Sequence, residues 1–323
     1  MSVTSPNESR YPIPAISSEK ERLSKLYAMK KTMYGWSNVV PDVVDLSKVE
    51  RTIDVGAGTC GWTLDLVSMP EIKAKARQGK IQIYACDIDT GFFPETLNEF
   101  SIIPFQQDVT KPFPKELRGT FDLVHASFLV GCLTPDGWDS ALVNYHTLLK
   151  PDGLVMLDEI DTLFLPDDFD QGNKPIGAAE PDLSKYLAGS SWITKANCIY
   201  TSYALQKELI VSITSRLQSM LEASGFHVEQ SKLGTMAIGP PCHSRVGVNG
   251  ESLAGYEDFS LENVELVLAH LSAHMLKNGT LEAPKGNLIA DELKMKALLK
   301  EVGNGMRTEG AVVLVKYFVA RKE

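Results

Sequence analysis

Apolar positions along this 323-residue chain recur with two periods, and the changes between them mark out the elements. From Ser18 onward Leu23, Leu26, Tyr27, Met33 and Tyr34 make an apolar stripe at helical spacing, and Ser18 with Glu21 has the spacing of a capping box. Ahead of it, Pro6, Pro12 and Pro14 keep the first 17 or so residues extended. Short apolar runs then alternate with helical stretches: a strand at about 51–55, a helix over 60–69, and a strand over Ile81–Cys86. A third strand follows at Ile103–Gln107, a fourth at Phe121–His125, a helix at about 136–149 and a fifth strand at Leu154–Leu157. Strands separated by helices predict parallel βαβ units and a doubly wound α/β sheet.

Beyond the fifth strand the rhythm breaks. Residues 158–203, rich in Asp, Gly and Pro, read as an insertion. Leu205, Leu209, Ile213, Leu217 and Met220 predict one helix from Tyr203 to Ala223, closed by Ser224-Gly225. A strand over His227–Ile238, a second insertion at 240–305 with two helices, and a β-branched run over Ala311–Val319 complete the chain. Seven strands are expected, the last returning antiparallel because it has no full crossover before it. The organisation is then an N-terminal helical cap over 1–48 and a core over 49–323, the two insertions forming a lid.

Composition narrows the functional classes. A hydrophobic fraction of 44% and a charged fraction of 23% suit a soluble globular protein with a sizeable core. The net charge of −9 argues against nucleic acid as the main partner, since release of phosphate counterions needs a basic surface. Cys60, Cys86, Cys132, Cys198 and Cys242 are dispersed without metal-ligand spacing, so no metal is expected and a reducing compartment is. The N-terminus carries no signal-peptide pattern, and no run approaches the ~20 apolar residues of a membrane span. A cytoplasmic protein with a small-molecule partner and no membrane contact is the expectation.

The candidate chemistry begins at Asp54-Val-Gly-Ala-Gly-Thr-Cys-Gly61, directly after the first strand. Gly56 and Gly58 lack a Cβ, which lets the backbone turn sharply and approach a ligand. The string also satisfies Gly-x-Gly-x-x-Gly, so a dinucleotide stays open at this point. An adenosine ligand across the strand ends makes separable demands. Asp87, ending the second strand, suits ribose hydroxyls, and Ile88 would lie along the adenine. Asp108 is placed to accept from the adenine amino group, and the Val109 amide to donate to the ring. Asp54 and the Ala126 carbonyl are candidate partners for an ammonium, because buried cations need such acceptors. His125 and Glu159 are candidate bases, favoured over His146 and Asp161. Tyr11, Tyr34, Phe128 and Trp192, with Tyr27 and Trp36, are candidates for an aromatic substrate wall.

The order DVGAGTCG, ACDID, QQDV, FDLVHASFLV, LLKPDG over residues 52–153 resembles class I S-adenosylmethionine-dependent methyltransferases. Tyr11-Pro-Ile-Pro14, Glu21-Arg22-Leu23, Trp62, Trp138 and Asp158-Glu159 are similar to fungal methyltransferases of secondary metabolism, among them those akin to its global regulator. Where that family usually carries Gly-Thr-Gly, this chain reads Ala-Gly-Thr-Cys. The resemblance implies a Rossmann-like methyltransferase sheet, S-adenosylmethionine as cofactor, and methyl transfer to a small organic acceptor. Two other readings are carried. One is a binder of the same cofactor without methyl transfer; the other is a nicotinamide-dependent oxidoreductase using Tyr203 and Lys207.

Overall fold

A computed structural model describes residues 17–35, 39–169 and 182–323. Seven strands form one sheet: β1 Arg51–Val55, β2 Gln82–Asp87, β3 Ile102–Gln106, β4 Phe121–Ser127, β5 Leu149–Leu165, β6 Phe226–Ile238 and β7 Ala311–Lys322. Their order is β3-β2-β1-β4-β5-β7-β6. The first five are parallel, and β7 lies antiparallel between β5 and β6. The expected doubly wound, seven-stranded Rossmann-like sheet with a returning last strand is therefore present.

Among the described residues the α-helices longer than one turn are α1 Ser17–Tyr34, α2 Gly61–Ser68, α3 Pro70–Arg77, α4 Pro135–Leu148, α5 Trp192–Gln206, α6 Ile213–Ala223, α7 Glu257–Lys277 and α8 Glu292–Thr308. Two apolar layers hold them to the sheet. One face packs the Trp138, Leu142 and Tyr145 side of α4 and the Ile213, Leu217 and Leu221 side of α6. The other packs Met29 of α1, Trp62 and Leu66 of α2, Ile199 of α5, Leu268 of α7 and Val302 of α8. Burial on both faces explains why Thr52 to Val55 is a continuous buried run rather than an alternating one.

Two boundaries differ from expectation. The first insertion does not begin at 158, because β5 runs on to Leu165. Its extension pairs with β7, Asp158 opposite Tyr317 and Leu165 opposite Val312, so Asp158, Glu159 and Asp161 lie inside a sheet rather than in a solvated loop. Nor is Tyr203–Ala223 one helix. The chain turns between Gln206 and Ile213, with Glu208 at φ +55° and the Leu209 amide returning to Ala204 O at 2.8 Å. Apolar periodicity continues across the break because both helices pack onto the sheet, which hides the turn in the sequence. Among the described residues no helix is long and apolar enough to cross a membrane.

Candidate active site

A cavity of about 350 Å³ opens where the parallel strands end. Such strand ends are where open α/β sheets bind ligands. Asp54, Gly56, Gly58, Asp87, Ile88, Asp108, Val109, His125 and Phe128 all line it, so residues far apart in sequence meet around one space. The reason is topological: β1 lies between β2 and β4, which aligns the loops after all three.

The glycine turn works as its composition suggests. Gly56 and Gly58 have φ of +67° and +52°, the left-handed region that side chains avoid. A Cβ on Gly56 would stand 2.8 Å from Leu129 Cδ2. The Gly58 amide donates to Asp87 Oδ2 at 2.9 Å, and the Asp89 amide donates to Asp87 Oδ1 at 3.0 Å. Burial raises the Asp87 pKa, while those two amides pull it back down. Asp89 caps the turn that follows by accepting from Gly91 N. Asp108 Oδ1 accepts from Thr110 N and Oγ1, and Asn144 Nδ2 donates to the Val109 carbonyl, fixing the loop after β3.

The floor of the cavity is a chain of buried charges. His125 Nδ1 stands 2.7 Å from Asp54 Oδ1, and Thr63 Oγ1 donates to Asp54 Oδ2 at 2.6 Å. On its other side His125 Nε2 lies 3.4 Å from Asp158 Oδ2. The imidazole stacks on Trp62, with ring centroids 4.1 Å apart and planes 7° from parallel. Lys30 reaches in from α1: its Nζ donates to Ser127 Oγ at 2.7 Å and stands 2.8 Å from Asp158 Oδ1. Burial alone lowers the His125 pKa, but the flanking carboxylates outweigh it and leave it raised. Burial likewise works against ionised Asp158, and Lys30 with His125 overcomes it, holding that carboxyl below its ordinary value.

Other candidates sit elsewhere. Glu159 does not line the cavity. Its oxygens accept from the Leu129 and Val130 amides at 2.8 and 3.1 Å, and burial pushes its pKa up to about 8. Successive strand residues face opposite sides of the sheet, so Asp158 meets the histidine while Glu159 holds the loop after β4. Ala126 is buried within β4, which extends to Ser127; Ser127 and Phe128 line the cavity in its place. Tyr34 packs edge-on against Tyr317 at 5.4 Å, and Trp192 Nε1 donates to Glu309 at 3.0 Å; both are core residues away from the cavity. His146 packs edge-on against Phe226. Tyr11 and Trp36 lie outside the described residues.

Asp161 does line the cavity, with Ser212 and Thr214 donating to its carboxylate, and burial raises it to about 6. Tyr203 is buried near the end of α5 against His274, and neither it nor Lys207 reaches the cavity. The oxidoreductase pair therefore does not line the space where a nicotinamide would lie. Lys30 escaped the sequence reading, and Asp158 and Ser127 entered it only within motif strings, not as its partners. Lys30 is one of several lysines on α1, and only its neighbours in space distinguish it.

No family model matches the chain. Over 164 residues it is 28% identical to the methyltransferase grgD of a Penicillium species, a match covering 50% of this chain and 56% of that protein. It is 28% identical over 145 residues to the N-methyltransferase tcpN of Claviceps purpurea, covering 44% and 49%. With the N-methyltransferase gliN of Aspergillus fumigatus it shares 26% over 154 residues, covering 47% and 50%. The chain thus spans about half the length of the curated relatives it matches. Among solved structures, phosphoethanolamine N-methyltransferase 2 of Haemonchus contortus in complex with S-adenosyl-L-methionine superposes with a TM-score of 0.42 and 12% identity, over 97% of this chain and 54% of that one. The relatives bear out the resemblance to fungal methyltransferases drawn from the motifs.

Proposed function

We propose that this protein transfers a methyl group from S-adenosylmethionine to a small organic acceptor, an intermediate of natural-product metabolism. The observation that carries the reading is the convergence of the glycine turn, Asp87, Asp108, Asp54, His125 and Lys30 on one cavity at the strand ends, with Asp158 buried behind the last two. Four carboxylates, on Asp54, Asp87, Asp89 and Asp108, line that end, which suits a ligand bearing a sulfonium and an ammonium. Asp87, held by two backbone amides, presents a fixed acceptor to ribose hydroxyls, with Ile88 beside the adenine. Asp108 and Val109 lie where the adenine edge would be read, and the Gly56–Gly58 backbone meets the methionine end.

When bound, S-adenosylmethionine supplies an already activated methyl group, so in-line placement of the acceptor provides much of the rate and a base serves only acceptors protonated at working pH. His125 is read as a fixed cation balancing Asp54 and Asp158 rather than as that base, because both carboxylates favour its charged form. Five free cysteines, four of them buried, support placement in a reducing compartment such as the cytoplasm.

Calorimetry with S-adenosylmethionine and NADPH on the wild type and on Asp87→Ala tests the reading. Tight S-adenosylmethionine binding that Asp87→Ala weakens about 10- to 100-fold is expected, as for loss of a hydrogen bond to a charged group. Binding of NADPH in its place would overturn it.

A further inference from the structure

The cavity continues beyond the cofactor end onto a second wall. That wall is built by Ile160 and Phe164 from the β5 extension, Met236 from β6, Val313 from β7, and Val264 and Val267 from α7. These elements belong to parts of the chain that carry no cofactor motif, yet the extended β5–β7 pairing folds them against the cavity.

Three polar side chains at this end, Arg22, Asp161 and Ser260, already have partners. Arg22 is clamped by Glu19 at 2.7 and 2.6 Å, and its Nη1 donates to Asn263 Oδ1 at 2.6 Å. Asp161 takes its donors from Ser212 and Thr214. Ser260 Oγ accepts from Gly239 N at 2.9 Å and donates to Glu257 O at 2.7 Å. A guanidinium only donates, so it fixes the Asn263 amide with Oδ1 toward Arg22 and turns Nδ2 away. Nδ2 makes no hydrogen bond among the described residues, and Asn263 lines the cavity.

We propose that this wall is the acceptor site, and that it takes an uncharged, largely apolar molecule whose carbonyl or hydroxyl oxygen is held by Asn263 Nδ2. The assignment rests on the methyltransferase reading, since the acceptor it describes belongs to that reaction. A charged acceptor would lose its hydration against Val, Ile, Phe and Met side chains, and the charged groups at this end are already engaged, Arg22 by Glu19 and Asp161 by Ser212 and Thr214.

The test uses N-phenyl-1-naphthylamine, a neutral dye that brightens in apolar surroundings, on protein saturated with S-adenosylhomocysteine. Competitors are 2-acetylnaphthalene, 1-naphthylmethylammonium and 2-naphthoate. The ketone is expected to displace the dye at least about tenfold better than either ion. Asn263→Leu should weaken the ketone about 2- to 10-fold, the range of one neutral hydrogen bond, with dye affinity unchanged. Val267→Glu should weaken dye and ketone together, about tenfold or more. S-adenosylhomocysteine affinity is measured by calorimetry throughout. Its absence in the wild type would overturn the methyltransferase reading itself. Its presence, with the ammonium or naphthoate competing as well as the ketone or with no dye bound, would overturn only the acceptor assignment. Where a variant loses the cofactor product, the wild-type competition series decides.

Discussion

Lys30 of α1 and Asp158 of β5 form an ion pair at 2.8 Å with both side chains buried, 128 residues apart in sequence. It ties α1 to β5 directly behind the cavity wall. The pair is embedded: Ser127 bonds to both partners, His125 approaches Asp158 from the other side, and Lys30 lies 5.1 Å from the centroid of the Phe128 ring.

Removing one partner should therefore be more harmful than removing both. Lys30→Met leaves Asp158 as a buried carboxylate with only His125 to balance it, a change that destabilises by roughly 3–5 kcal/mol in comparable buried pairs. The double variant Lys30→Met with Asp158→Leu should recover a substantial part of that loss. Urea unfolding of the four proteins of the cycle measures it; a double variant no more stable than Lys30→Met would show that the pair is not coupled.

Stability should fall as pH rises from about 5 to above 8. The folded pKa of Glu159 is raised from 4.5 to about 8, so its contribution is full below 4.5 and lost as pH passes through 8. His125 is also raised from 6.5, so its contribution is full below 6.5 and declines above its folded value. Asp158 acts oppositely: held below 3.8, its stabilisation is present above that pH and fades on further acidification. Urea midpoints across this range should show the fall, and Glu159→Gln should flatten it between pH 5 and 8. An unchanged slope in that variant would remove Glu159 as its source.

Gly61 is a packing glycine. A Cβ there would meet the Tyr27 ring of α1 at 2.8 Å, whereas the same atom on Gly58 would find its nearest neighbour at 3.9 Å. Gly61→Ala should destabilise by about 1–3 kcal/mol through overpacking, and Tyr27→Ala should offset part of this in the double variant. Gly58→Ala pays only for its φ of +52°, about 1–2 kcal/mol, and no change in Tyr27 relieves it. Thermal unfolding of these variants separates the two causes.

Trp192 should affect stability without touching the cofactor. Its ring fills the space above Gly305, where an added Cβ would come within 2.1 Å of it. Trp192→Ala should cost about 3–5 kcal/mol, as for a buried aromatic truncation. S-adenosylmethionine affinity of the fraction still folded should match the wild type. A selective loss of affinity would bring Trp192 back to the site.

Much of the lining of the cavity at the strand ends was legible because it depends on local rules. A glycine pair after a strand, Asp87 ending β2 and Asp108 after β3 each sit at a strand terminus, and parallel strands bring their ends together whatever the side chains between. The substrate end was not legible in the same way. Tyr34 and Trp192 have the composition of a ligand wall, but packing against Tyr317 and above Gly305 absorbs them into the core. Glu159 and Asp158 are neighbours in sequence, and only the register of β5 against β4 and β7 shows which one faces the histidine.

By itself, the sequence determined the βαβ order, the returning strand, the glycine turn and the carboxylates around it, because these follow from periodicity and short-range backbone geometry. Tertiary structure alone decided that Lys30 is buried beside Asp158, that His125 stands between two carboxylates, and that β5, β6, β7 and α7 share an apolar wall. Those relationships depend on long-range pairing and desolvation, and the charge state and partners of a buried group come from whatever the fold places against it.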